Sequence, residues 1–294
     1  MRKHRKEIAF VLSAVTFCVI LALIIVVSMR SHEKPKTDTQ TYETISGLET
    51  DRVPETMVYD DIVSEPVTEG LPEGISYKKV TSKTVINTEN GSRVVYNYPR
   101  FEGFSAEKDA SLNGFIKYYL EVKCKETGEG MYKLAAYGAK VIYEVTDFSV
   151  GYMDDKFMSL MFTGNYDIDY EGEHIDSGVR HFMYSMNVDM QDMELVTSSQ
   201  LFANYMTLRT RMTEDKLSLV HGQEGLLGQT SYTVMLSQYS DKYEIYPDVY
   251  FEDDSVKIIV SLTAELGGCA VFSDSREAAK EYLNTYLSEL SQYW

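Results

Sequence analysis

Between Val179 and Met190 the chain alternates. Phe182, Tyr184, Met186 and Val188 take every second position, with His181, Met183, Ser185, Asn187 and Asp189 between them. A period of two over this length predicts a strand with one buried face, and it puts His181 on the wetter side. Strand patterns also cover Val80–Asn87 and Arg93–Tyr98, around the turn signal Glu89-Asn90-Gly91. Asn90-Gly91-Ser92 is a glycosylation sequon as well, but the turn explains it without further machinery. Tyr98-Pro99 ends the second strand. Lys140–Phe148 and Lys156–Thr163 read as two more strands, and Val249–Glu252 with Val256–Leu262 reads as a late hairpin turning at Asp253-Asp254-Ser255.

Helical periodicity appears three times. Ser105 is placed to cap a helix whose inner face is Leu112, Phe115, Ile116 and Tyr119. A second stripe runs Leu201, Tyr205, Leu208 and Met212. A third closes the chain, with Asp274 and Glu277 as a capping box and Tyr282, Leu283, Tyr286, Leu287 and Leu290 as its apolar face. Residues 220–230 read as a Gly-rich loop. Helices among antiparallel hairpins, without regular βαβ alternation, predict an α+β fold: an antiparallel sheet packed with about three helices.

One apolar run is of another kind. From Ile8 to Met29 there are 22 residues without a charge, enough for a helix to cross a bilayer core of about 30 Å. The run is longer than the apolar part of a cleaved signal peptide, and no small-residue cleavage pattern follows it. Four basic residues precede it (Arg2, Lys3, Arg5, Lys6), and Arg30, Lys34 and Lys36 follow more sparsely. That bias predicts an uncleaved anchor with its N-terminus in the cytoplasm and the rest of the chain outside. The expected organisation is a short tail and anchor over residues 1–29, a disordered acidic linker over 30–75, and an extracytoplasmic domain over 76–294. The linker follows from composition, because a stretch rich in Thr, Glu, Asp and Pro buries too little apolar surface to offset its chain entropy.

Charge sharpens this division. The net charge is −17, but residues 1–36 hold seven Lys/Arg against two Asp/Glu, and the remainder holds 21 against 43. So acidic a body repels phosphate backbones, which argues against a nucleic-acid partner. It suits solubility, or a cationic partner.

The densest set of titratable groups is residues 167–181, DIDYEGEHIDSGVRH. Its Asp-x-Asp-x-Glu-Gly opening has the form of a calcium loop, but Gly178 stands where a bidentate Glu is needed and the flanks read as strands. His174 and His181 are seven apart with no cysteine partner, which does not make a zinc site. Acidic residues are too common for a carboxylate pair to be singled out for glycoside hydrolysis. No phosphate loop, dinucleotide fingerprint or nucleophile elbow occurs, and no cofactor or metal is expected. The 23 tyrosines suit half-buried sheet positions before they suit a binding surface. Cys18 falls in the apolar run. Cys124 and Cys269 stand alone, and either a disulfide between them or two buried thiols fits.

The order of several short motifs resembles a known family. These are Tyr98-Pro99, Leu112-Asn113-Gly114-Phe115-Ile116, Ser159 within Lys156–Phe162, Tyr170-Glu171-Gly172-Glu173-His174, Met186-Asn187-Val188-Asp189, Ser198–Phe202 and Tyr250–Val256. The pattern is similar to the RsiV-like extracytoplasmic domain family. That family includes the ectodomain of a lysozyme-sensing anti-sigma factor and a related non-catalytic domain of a secreted peptidoglycan deacetylase. The resemblance implies an α+β domain outside a Gram-positive-type envelope, with a binding role. It also draws attention to His174, with Glu173, Tyr170 and Asp176 around it, as a candidate binding edge. Two features depart from the family: the His turn lacks its Ala, and Ser261–Gly268 replaces a Tyr-rich turn. Only Met1–Glu7 precede the apolar run, too few to hold a sigma factor.

The expected function is therefore that of a single-pass, membrane-anchored binding domain of the cell envelope, without catalysis. Its partner would be an envelope or cationic protein, or a cell-wall fragment. Alternatives are an enzyme acting on wall polymer through carboxylates, and a lysozyme-responsive regulator that sequesters no sigma factor.

Overall fold

The computed structural model describes residues 58–127, 134–135, 138–170, 173–174 and 179–284. All of them fall in the second of two compact units, residues 53–294. The predicted membrane segment 8–29, the linker up to residue 57, and Tyr286, Leu287 and Leu290 lie outside the described residues. Among the described residues, no helix is long and apolar enough to cross a membrane.

Two sheets and one long helix form the frame. The larger sheet contains β1 (Val58–Ile62), β2 (Ser76–Asn87), β3 (Ser92–Glu102), β4 (Lys140–Met153), β5 (Phe157–Tyr170), β6 (Glu173–His174), β7 (Arg180–Asp189) and β8 (Glu194–Leu195). Its order is β1-β2-β3-β4-β5-β7-β8, with β6 paired to β5. The smaller sheet contains β9 (Ser218–His221), β10 (Asp248–Phe251), β11 (Ser255–Ser261) and β12 (Cys269–Ser275), in the order β10-β11-β12-β9.

The fold is α+β, but the large sheet is mixed. β3 and β4 run parallel from Arg93↔Ile142 to Tyr96↔Val145. A parallel pair needs a crossover, and the long helix α1 (Ala106–Thr127) supplies it. Ser105 accepts a hydrogen bond from the Lys108 N–H at 3.2 Å, as its capping position predicts. Leu112, Ile116 and Tyr119 are buried under α1 with Phe115 packed beside them, also as predicted.

Several boundaries differ from the sequence reading. β1 lies inside the stretch read as a disordered linker. It gains order as an edge strand on β2, from Val58↔Thr84 to Ile62↔Val80, which composition alone does not reveal. β3 runs past Tyr98-Pro99 to Glu102. Its pairing with β4 stops at Tyr96, so no ladder partner on that side needs the missing N–H of Pro99. The second predicted helix is two, α2 (Ser198–Leu201) and α3 (Tyr205–Thr213). The Ala203 and Asn204 N–H groups donate to the Tyr282 carbonyl, which breaks the helix there, and Asn204 recaps it. The stripe Leu201, Tyr205, Leu208, Met212 is buried all the same. Inside the predicted Gly-rich loop sits a helical turn, α4 (Leu226–Gln229), followed by α5 (Tyr232–Met235).

The final helix starts differently from its predicted capping box. Ser275, not Asp274, caps α6 (Arg276–Ala279). Asp274 is taken by Arg211 of α3, which reaches its two carboxylate oxygens at 2.9 and 3.0 Å while also meeting Glu281 at 3.2 Å.

The smaller sheet packs on the larger along β5 and β7, through a buried polar relay. The Ser159 hydroxyl donates to Asn187 Oδ1 at 2.8 Å, Asn187 Nδ2 donates to the Val249 carbonyl at 2.7 Å, and the Phe251 N–H donates to Ser159 Oγ at 3.0 Å. The supposedly wetter face of β7 is therefore dry at Ser185, Asn187 and Asp189, whereas His181 at the other end is exposed. Gly151 of β4 belongs to the same seam, since a side chain there would overlap the Phe251 carbonyl and the Tyr250 ring.

Candidate functional site

The acidic segment that attracted attention forms a strand tip. β5 ends at Tyr170, which is 44% exposed, and β6 folds back on it with Asp169 opposite His174 and Tyr170 opposite Glu173. Pairing thus brings Tyr170, Glu173 and His174 onto one return of the chain. Asp176 and the rest of the turn, residues 171–172 and 175–178, lie outside the described residues. Among the described residues no group of three His, Cys, Asp or Glu is arranged to hold a metal ion.

A more developed site lies where α1 crosses the start of the second sheet. A cavity of about 390 Å³ opens there. That is near the lower end of the range for small-ligand pockets, about 300–1,000 Å³. The outer half of α1 lends Tyr118, Tyr119, Val122, Lys123 and Glu126. β7 lends Ser185 and Asn187, the segment into α2 lends Leu195 to Ser198, and β10 lends its first residue, Asp248. Tyr170 is not among the lining residues.

Local chemistry fixes these groups. The Tyr119 hydroxyl donates to the Ser185 carbonyl at 2.6 Å, which pins α1 to β7, and its ring meets Tyr184 edge-on at 5.9 Å. Burial holds the Tyr119 phenol well above its ordinary range, so the hydroxyl keeps its proton. Lys123, one turn on, is 2.9 Å from Glu126 and 5.7 Å from the centre of the Tyr119 ring. Tyr118 stands at the rim, 61% exposed.

Asp248 is the unusual group. Its side chain is half-buried, packed under α1, and that burial pushes its pKa up to about 6. Lys123 and hydrogen bonds from Ser185 and Ser198 pull the other way, and Glu126 adds to the rise. Strand β10 has to start against β7 for the second sheet to dock, so its first residue is carried into the crevice beneath α1.

Sequence reasoning passed over Asp248, because an Asp at a strand start is unremarkable there. A signal existed on α1. The apolar stripe Leu112, Ile116, Tyr119 continues at the next turn to Lys123, a charge where the periodicity calls for a core residue.

A second, more open hollow of about 620 Å³ is lined by His181, His221, Asn165 and Cys269 among others. His181 Nδ1 lies 2.6 Å from Asn165 Oδ1. Burial raises the Cys269 thiol to about 11, which leaves it poorly suited to act as a nucleophile.

No protein-family model matches the chain, and no curated protein matches it. Among solved structures it is similar to a member of the DUF3298 family from Bacteroides fragilis. The two share 13% identity at a TM-score of 0.38, over 82% of this chain and 99% of the other.

Proposed function

We propose that the chain is a membrane-anchored, extracytoplasmic binding domain of the cell envelope, of the RsiV-like kind, that holds a ligand or partner without chemistry of its own. The observation that carries this reading is the cavity under α1. It is concave, with the exposed Tyr118 ring at its rim and the buried Tyr119 in its wall. The acidic body outside residues 1–36 favours cationic partners over anionic ones. Anchorage rests on the uncharged run Ile8–Met29 and its basic flank.

Calorimetry on the full chain in detergent tests the reading, with peptidoglycan fragments and basic proteins, lysozyme among them, as titrants. Saturable heat that disappears when Tyr118→Ala is combined with Val122→Ser is the expected result. No heat with any titrant would sink the reading. A protease-protection assay on intact cells tests the orientation, with residues after Arg30 expected to be digested from outside.

One observation favours a second reading. A carboxyl held near pH 6 by burial, with Glu126 lining the same cavity, is the arrangement a general acid needs. If the chain acts on wall polymer, Asp248→Asn abolishes release of reducing ends from purified sacculi. If no reducing ends appear with the unsubstituted chain, this second reading falls.

A further inference from the structure

The cavity under α1 carries information about its own occupant. Its wall already seats one cation, the Lys123 ammonium, between the Glu126 carboxylate and the Tyr119 ring. Beyond Lys123 lies the Asp248 carboxyl, so the lining holds two carboxylates against one cation. The Ser185 backbone N–H and the Ser198 hydroxyl lie beside the Asp248 carboxyl and favour its charged form. An ionised carboxylate has about four acceptor sites, so two donors leave it with capacity. The walls between these charges are apolar or aromatic, from Tyr118, Val122 and Val196.

We infer that this cavity takes a single organic cation, an alkylammonium or guanidinium head on an apolar stem, with the head against Asp248 and the stem along Tyr118 and Val122. The inference rests on the binding reading above and narrows it. An anionic head meets two carboxylates in a crevice of low polarity, where repulsion is poorly screened. A neutral ligand leaves Asp248 desolvated with only part of its charge compensated. A cation relieves that cost, and a ring face beside it adds to the attraction.

The same groups set a pH dependence. The charged or titratable side chains facing Asp248 are Lys123, Glu126 and Tyr119 from α1 and Tyr239 from the segment before β10; β7 presents the Ser185 backbone and α2 the uncharged Ser198. Burial keeps the Tyr119 and Tyr239 hydroxyls protonated across the neutral range, so Asp248 is the group that switches. Its carboxylate form dominates above about pH 6 and its neutral form below, so affinity for the cation falls on acidification.

The shared head group has two natural sources, a free amine or a basic side chain on a protein. n-Pentylamine and an N-acetylated, amide-capped lysine peptide represent them, with n-pentanol as the neutral control. Titrated by calorimetry into the full chain in detergent at pH 7.5, n-pentylamine binds and n-pentanol does not. Asp248→Asn, which preserves shape, weakens n-pentylamine about tenfold or more. Lys123→Ala, on the half-exposed side of α1, strengthens it severalfold by removing the competing cation. Substitutions that merely loosen the site move both variants in the same direction. At pH 5 the binding weakens. If the capped peptide binds like n-pentylamine, the occupant is a protein side chain; if n-pentylamine alone binds, it is a free amine. Equal binding of n-pentanol, or an unchanged affinity in Asp248→Asn, overturns the inference. If n-pentylamine fails while a neutral peptidoglycan fragment still binds, the inference falls and the binding reading stands.

Discussion

At the scale of single residues, Asp248 links the site to stability. Its carboxyl titrates near 6 in the folded chain against an ordinary value of 3.8. Below about pH 3 the group is neutral in both folded and unfolded chains and costs nothing. As the pH climbs through about 6, the unfolded chain has already ionised freely while the folded chain has to carry a desolvated charge. That part of the stability is lost on the alkaline side. Asp248→Asn removes the charge, so urea midpoints of variant and parent should coincide near pH 3. They should diverge near pH 8, with the variant more stable by about 1–3 kcal/mol. A constant offset at both pH values would show that the shift does not arise from this carboxyl. Ser159, Asn187 and Asn113 were visible in the sequence as motif residues, but their work was not. Asn113 clamps the Phe101 N–H and carbonyl with both ends of its amide, at 2.7 and 2.9 Å. Ser159 and Asn187 fasten two sheets. Alternation identifies a polar strand face; it does not reveal that a second sheet, more than sixty positions on at Val249, will cover it.

Among elements, the loop before β12 meets the start of β7 in a close contact between the two sheets. Gly268 has φ +80°, and a side chain there would overlap the His181 carbonyl oxygen. Gly268→Ala should therefore cost about 2 kcal/mol or more, from the left-handed backbone and from pushing the sheets apart. Gly228→Ala, in α4 with open space around it, is expected to change stability little. Chemical denaturation of the pair checks the contrast, and equal behaviour would mean that the sheets yield at this point without penalty. The Arg211–Asp274 pair makes a second demand. The Asp274 side chain is only 4% exposed, so Arg211→Ala leaves a buried carboxylate without its cation, at a cost of about 3–5 kcal/mol. Cores of long elements were legible: the α1 face, the alternation of β7 and both hairpins are where periodicity puts them. Short elements were not. The split of α2 from α3 depends on the Tyr282 carbonyl arriving from far along the chain, and β1 depends on β2.

On the scale of the whole molecule, the two cysteines of the described residues lie on different elements, one in α1 and one in the small sheet. Cys124 sits under α1 in the core of the large sheet, Cys269 lies in β12, and both are free and buried. Burial raises each thiol to about 11, so the thiolate fraction at neutral pH is small. In a Cys18→Ser background, a maleimide reagent is expected to label neither site until urea unfolds the chain. Rapid labelling of the folded chain would contradict the burial of both. The charge asymmetry was legible from composition. The mixed character of the large sheet was not, because one parallel pair among antiparallel neighbours leaves no mark on local periodicity.

The order of strands in the small sheet bears on how the chain is made. β12 is flanked by β11 and by β9, and β9 is synthesised well before it: His221 pairs with Val271. A nascent chain leaving the ribosome N-terminus first has every strand of the large sheet by Leu195. The small sheet still lacks a central strand until Ser275 has emerged, so β9 and β11 wait unjoined and their apolar faces uncovered. This interval is when a chaperone would be most needed. A stop codon placed before Cys269 should therefore yield a product far more prone to proteolysis than its small loss of length suggests.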